Sequence, residues 1–192
     1  MQVYIHNLST GINHAVAVNM NAYYLPRFFW TKDVEQLCIL TMNRHQNDLR
    51  FYITEGELSN NRIGSKEVFK ETTRTYIDIH DNLTFLKDGK SFLWTSERDG
   101  FNHIYKFGYD GKVKQLTKGE WDVVEFMGYD ESKKKIYFSS SMKGATQQHL
   151  HSVDFGGNII TLDDTPGYHR ANFSANFSYR IHNHSDANTP PI

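Results

Sequence analysis

The chain has 192 residues, 39% hydrophobic and 14% aromatic, with 21 basic and 22 acidic side chains and a formal charge of −1. That apolar content offsets the entropy of ordering and argues against disorder, and the near-neutral balance supplies no global basic field for nucleic acid or an anionic membrane. No apolar run reaches membrane-spanning length, and Met1-Gln2-Val3-Tyr4-Ile5-His6 lacks the basic and apolar regions of a signal peptide.

Strand signals recur along the chain. Residues 3–8, followed by Ser9-Thr10-Gly11, read as the third strand and turn of a unit whose start is missing. Residues 22–30, 37–43, 49–54 and 67–70 make the next unit, with a longer Gly/Ser/Asn-rich turn over 56–64. Residues 83–86 lead through Lys87-Asp88-Gly89-Lys90 into a strand over 91–96, then 103–107 and 113–117. An Asp-Gly pair between apolar runs is a strong hairpin signal, because glycine accepts the positive φ of a tight turn. A further unit reads 123–129, 135–140, 148–153 and 159–162, and residues 168–174 and 178–182 match only two strands. Sustained helical stripes are absent.

Aspartates 33, 88 and 130 mark the first turn of successive units, 55 and then 42 positions apart. A repeat of about 40–50 residues built from four short strands is the signature of a β-propeller blade. The predicted fold is therefore all-β: a partial β-propeller of four-stranded antiparallel blades, three whole and two incomplete. The boundaries fall at 1–21, 22–72, 73–119, 120–165 and 166–192. A blade cannot bury both faces alone. Unpaired blade edges in a partial array also predict a homo-oligomer formed through them.

Candidate chemistry is sparse. No Gly-x-Ser-x-Gly pentapeptide supplies the strained turn of a nucleophile elbow, and Ser139-Ser140-Ser141 reads as a strand end. The pairs His149-x-His151 and His182-x-His184 each place two imidazoles on one strand face, but a zinc site wants further ligands from other strands. The expectation is no metal and no cofactor. Asp163-Asp164 and Asp130-Glu131 read as solvated link and turn charge, and Lys133-Lys134-Lys135 as a solvated turn. Asn7, Asn82, Asn172, Asn176 and Asn183 open Asn-x-Ser/Thr sequons, most of them expected by chance because asparagine favours turns. Trp30, Trp94 and Trp121 read as interblade core rather than stacking platforms, and Cys38 as a small buried hydrophobe.

The stretch from Phe85-Leu86-Lys87-Asp88-Gly89 to Asp99-Gly100-Phe101-Asn102-His103-Ile104-Tyr105 resembles the N-terminal propeller of the dipeptidyl peptidase IV family of serine peptidases. So does Leu116-Thr117-Lys118-Gly119-Glu120-Trp121-Asp122-Val123, which is similar to that family's link between blades. His149-Leu150-His151, Gly167-Tyr168-His169 and the Phe173-Ser174 region follow in the family's order. The resemblance implies the later half of an eight-bladed propeller that covers, and restricts entry to, an α/β-hydrolase domain. That domain would carry a Ser/Asp/His triad and remove N-terminal dipeptides. It also implies an exported parent: periplasmic, secreted or membrane-anchored.

In the family, adjacent glutamates hold the substrate amine, and this chain has no Glu-Glu pair. No catalytic residue is therefore assigned, and the substrate-binding residues are unknown. Tyr76-Ile77-Asp78 lies where the family's chain faces the cavity and receives no role. The expected partners are the C-terminal hydrolase domain and, through the parent, peptide substrates, with no nucleic acid. The alternatives are a stand-alone protein-interaction propeller and, more weakly, a carbohydrate-binding propeller using exposed tryptophan.

Overall fold

In the computed structural model, residues 2–18, 22–33, 35–56, 62–163 and 165–191 are described. Their regular structure is entirely β, as short alternating runs cut by turn residues dictate. The strands are β1 (Val3–His6), β2 (Asn13–Val16), β3 (Tyr24–Trp30), β4 (Leu37–Met42), β5 (Asp48–Glu55), β6 (Arg62–Thr72), β7 (Thr84–Phe85) and β8 (Ser91–Ser96). They continue with β9 (His103–Gly108), β10 (Val113–Gln115), β11 (Val123–Asp130), β12 (Lys135–Ser140), β13 (His149–Asp154), β14 (Ile159–Thr161), β15 (Tyr168–Phe173) and β16 (Arg180–Ser185).

Three runs of four consecutive strands lie side by side in chain order, β3 to β6, β7 to β10 and β11 to β14, and β15–β16 form a two-stranded sheet. These are the antiparallel four-strand units expected of propeller blades. The aspartates that mark the repeat do the same local work in each. Asp33 accepts the Glu35 N–H at 3.2 Å, Asp88 the Lys90 N–H at 2.9 Å and Asp130 the Ser132 N–H at 2.9 Å. Each side chain closes an Asx turn two residues on, a geometry that a short carboxylate reaches and a longer one does not.

The chain divides into two compact units: Met1–Asp81 with Phe85–Ser91 and Phe107–Lys112, and Asn82–Thr84 with Phe92–Lys106 and Val113–Ile192. In the first unit, β1 and β2 form a hairpin with Val3 opposite Val16 and Ile5 opposite His14. The hairpin extends the sheet through a short parallel contact, Ala15 with Arg62 and Val16 with Ile63. Val3, Ile5, Val16, Leu37, Ile39 and Ile63 form the apolar cluster that this joining buries. All six residues of β4 are buried, as expected of an inner strand covered on both faces.

Two expectations fail here. β6 begins at Arg62 rather than residue 67, because β5 runs on to Glu55, which pairs with Gly64. Residues 57–61 of the expected turn lie outside the described residues. Trp30 is 54% exposed. It ends the edge strand β3 and lines an open cleft of about 590 Å³ with Val3, Tyr4, Ile5, Leu25 and Phe28, so it is not buried core.

The second unit buries Phe92, Leu93, Trp94, Ile104, Ile136, Phe138 and Leu150 almost completely. Trp94 therefore occupies the core slot expected of it. Trp121 lies off the strands, between β10 and β11, edge-on to His103 at 4.8 Å and stacked over Phe138 at 6.3 Å.

Candidate functional site

The link after each of the last two whole sheets is fixed by one hydrogen-bond pattern, repeated at an offset of 46 residues. In the first copy, β9 starts with His103 and Ile104. Thr117, just beyond β10, accepts the Ile104 N–H at 2.9 Å, and its oxygen lies 3.2 Å from His103 Nδ1. His103 Nε2 lies 3.0 Å from the Gly119 carbonyl. The Leu116 N–H returns to the Ile104 carbonyl, and the Val123 N–H to that of Asn102. Asn102 Nδ2 donates to the Val123 carbonyl at 2.7 Å.

The motif Leu116-Thr117-x-Gly119-x-Trp121-x-Val123 is thereby explained residue by residue. Gly119 sits at φ +140°, and a Cβ there would run into the Trp121 indole. The protons balance as well. In the tautomer that satisfies all three groups, the threonine hydroxyl donates to Nδ1 and Nε2–H donates to the carbonyl.

In the second copy the backbone repeats and the side chains change. The Leu162 N–H returns to the Leu150 carbonyl and the His169 N–H to that of Gln148, while Gln148 Nε2 donates to the His169 carbonyl at 3.1 Å. Where the first copy has Thr117 and Val123, this one has Asp163 and His169. Asp163 Oδ2 accepts the Leu150 N–H at 2.7 Å, and Oδ1 is hydrogen-bonded to His149 Nδ1. His149 Nε2 lies 2.9 Å from Gln147 Oε1. His169 Nε2 is 2.8 Å from the Thr165 carbonyl and 3.5 Å from Asp163 Oδ1. On the other side of its ring, His169 Nδ1 is 2.9 Å from His182 Nε2. Three further imidazoles surround His169, with ring centroids 5.1 Å away for His149, 5.1 Å for His182 and 4.5 Å for His184.

This cluster is dry. The side chains of His149, Asp163 and His169 are 6%, 3% and 1% exposed. Next along β13, His151 is fully buried, its Nδ1 3.3 Å from Thr161 Oγ1 and its Nε2 without a hydrogen-bond partner among the described residues. Burial pushes its pKa down to about 4, so it is neutral at physiological pH. Burial also lowers His182, with Arg180 adding to the effect.

The expectation of solvated charge at Asp163 is thus overturned: the carboxylate is folded inward as the acceptor for the β13 backbone. Asp164 lies outside the described residues. Asp130 does sit in its turn, but only 3% exposed. Its carboxyl is held down at about 2 by the Ser132 hydroxyl and the Ser132 and Lys133 N–H groups, with the Lys133 ammonium 3.2 Å away.

The remaining candidates are scattered. Ser139 is buried, Ser140 accepts the Met142 N–H and Ser141 accepts the Asp122 N–H. Asn7 and Asn176 cap turns, and Asn82 donates to Thr95. Tyr76 and Asp78 are exposed in the long connection before β7. Cys38 is buried, and burial pushes its thiol pKa up, consistent with an inert core residue.

Asp163 and His149 form the carboxylate–imidazole half of an acyl-transfer triad, but the outer nitrogen of His149 meets the Gln147 amide where a triad needs a nucleophilic hydroxyl. What the cluster does assemble is a donor set: His149, Asp163 and His169 bring their ligand atoms within 4.8 Å of one another. Reading the two His-x-His pairs as separate strand features missed this. The signal was the 46-residue offset, which sets 149, 163 and 169 against 103, 117 and 123.

The chain as a whole is similar to several known proteins. The family described as "Dipeptidyl peptidase IV (DPP IV) N-terminal region" matches residues 1–191. Dipeptidyl peptidase 4 of Trichophyton equinum is 36% identical over 140 residues, covering 67% of this chain and 18% of that protein. The enzyme of the same name from Trichophyton rubrum is 38% identical over the same length and shares. The chain thus spans under a fifth of the length of these curated relatives. The crystal structure of Porphyromonas gingivalis dipeptidyl peptidase 4 superposes with a TM-score of 0.87 at 28% identity, over 99% of this chain and 27% of that one. A dipeptidyl aminopeptidase IV structure from Bacteroides ovatus, 24% identical with a TM-score of 0.77 over 96% of this chain and 29% of that one, shares the fold. This chain belongs to the dipeptidyl peptidase IV N-terminal region family.

Proposed function

We propose that this chain is a propeller section of a dipeptidyl peptidase-type serine exopeptidase. It shapes and gates the path of peptides to an α/β-hydrolase domain elsewhere in the parent protein, and contributes no catalytic residue itself. The observation that carries the reading is the superposition of nearly the whole chain on little more than a quarter of the Porphyromonas gingivalis enzyme. The sequence supports it through the missing Gly-x-Ser-x-Gly elbow, and the site supports it through a His149–Asp163 pair whose outer nitrogen faces an amide. In this reading the parent cleaves peptides through an acyl-enzyme, which needs a serine activated by a histidine. Its hydrolase domain is the principal partner, exposed sheet edges offer a homo-oligomer contact, and the parent is exported.

A chromogenic Xaa-Pro substrate tests the assignment. The purified 192-residue chain should give no turnover while the full-length parent does. Turnover by the chain alone that survives purification controls overturns it. A reading frame that ends without a downstream Gly-x-Ser-x-Gly would instead favour the stand-alone interaction module. Gating predicts that the parent releases dipeptides from free N-termini and spares long chains whose N-terminus is blocked.

A further inference from the structure

We propose that His149, Asp163 and His169 form a binding site for a divalent transition-metal ion, with Zn²⁺ the best match, that pins the start of β13 to the start of β15. The proposal is independent of the peptidase reading.

Three observations carry it. The first is the donor set: two imidazoles and one carboxylate, drawn from β13, the β14–β15 link and β15, with ligand atoms mutually within 4.8 Å. Two histidines with a carboxylate form a zinc ligand set of the intermediate hardness that this ion favours, and tetrahedral coordination leaves a fourth position for water or another donor.

The second observation is the state of the remaining side-chain polar atoms of these three residues. With His149 Nδ1, Asp163 Oδ1 and His169 Nε2 as ligands, each of them already has an outer partner, and the Thr165 carbonyl beside His169 Nε2 is left facing the ion. His149 Nε2–H donates to Gln147 Oε1, and Asp163 Oδ2 accepts the Leu150 N–H. His169 Nδ1–H donates to His182 Nε2. Such outer hydrogen bonds fix the tautomer and ring angle of metal-binding histidines. Without an ion, both ring nitrogens of His149 face oxygen acceptors, Asp163 Oδ1 and Gln147 Oε1, and His169 Nε2 faces two, the Thr165 carbonyl and Asp163 Oδ1. A turned Gln147 amide is the metal-free alternative.

The third observation is the sister junction. The same backbone latch works at 103–123 with His103, Thr117 and Val123, where the hydroxyl and carbonyl partner both nitrogens of one imidazole. Asp163 and His169 are therefore not required by the latch. They replace a hydroxyl and an isopropyl group with two ligands beside His149, the counterpart of His103 that opens the third strand. A buried carboxylate with nothing to neutralise it is costly, and the sister copy avoids one.

The test compares the chelator-treated 192-residue chain with its Asp163→Thr/His169→Val variant, which installs the sister junction and keeps an acceptor for the Leu150 N–H. Calorimetric titration with ZnCl2 should show one equivalent bound with a Kd of about 1 µM or tighter, and ion binding should raise the melting temperature. The variant should melt cooperatively, with affinity weakened at least about 100-fold and no zinc-dependent shift. Co²⁺ should give the visible absorption of a low-symmetry site in the wild type only. Should the double variant fail to fold, Asp163→Asn preserves size and the backbone hydrogen bond while removing the anionic ligand, and should lower affinity on its own. No saturable binding by the wild-type chain, or undiminished affinity in a folded variant, overturns the proposal and leaves the metal-free latch.

Discussion

The junctions at 103–123 and 149–169 are built on one backbone plan and stabilised by different chemistry. At the first, a threonine hydroxyl serves two masters, accepting from Ile104 and donating to His103, and an indole closes over the link. At the second, a buried carboxylate takes the hydroxyl's place, and four histidines gather where the first junction has one. Hydrogen bonds between main-chain groups define the architecture, and they survive the exchange of Thr117 for Asp163 because either side chain can accept an N–H from β9 or β13. What changes is electrostatic. A hydroxyl brings no charge to be matched, whereas a carboxylate away from water must be matched by protons or an ion.

The largest effects should be common to both sheets. Trp94 and Phe138 hold the same place in β8 and β12 and are both essentially unexposed. Truncating either to alanine should cost about 3–5 kcal/mol in denaturant unfolding. Trp30→Ala, at an exposed edge, should cost less than about 1 kcal/mol. Equal losses at Trp30 and Trp94 would mean that the edge cleft is covered in solution.

A smaller effect separates the junctions. Thr117→Val keeps the shape but strips the acceptor from the Ile104 N–H and the donor from His103, both buried, and should cost about 1–3 kcal/mol. Thr117→Ser should restore most of it. A neutral Thr117→Val would show that the first junction is held by the Trp121 contacts alone.

The smallest expected effect is acid sensitivity at the turn between β11 and β12. Asp130 is held at about 2 against an ordinary 3.8, so its contribution is complete above about 4. It is lost as pH falls towards 2, because the unfolded chain takes up the proton first. Asp130→Asn should flatten the unfolding profile over that window. An unchanged profile would assign the acid response to other carboxylates.

Turn chemistry made much of this fold legible. Asp33, Asp88 and Asp130 each close an Asx turn between short apolar strands, so the strand order follows from local rules. The same rules misplaced the start of β6, because strand length there is set by pairing with β5. They also put Trp30 in the core, because apolar character does not say which strand lies at an edge. Asp163 was misread for a related reason. An acidic residue in a link is normally solvated, and only its neighbours in space make it an inward acceptor.

The sequence by itself determined the all-β class, the repeat and the family, since period, turn residues and motif order are local properties that each segment carries alone. Only the tertiary structure decided that His149, Asp163 and His169 meet, and that His182 and His184 close around them. Residues on three separate elements are brought together by sheet register and link path. Those are fixed by long-range pairing, which no single stretch of chain encodes.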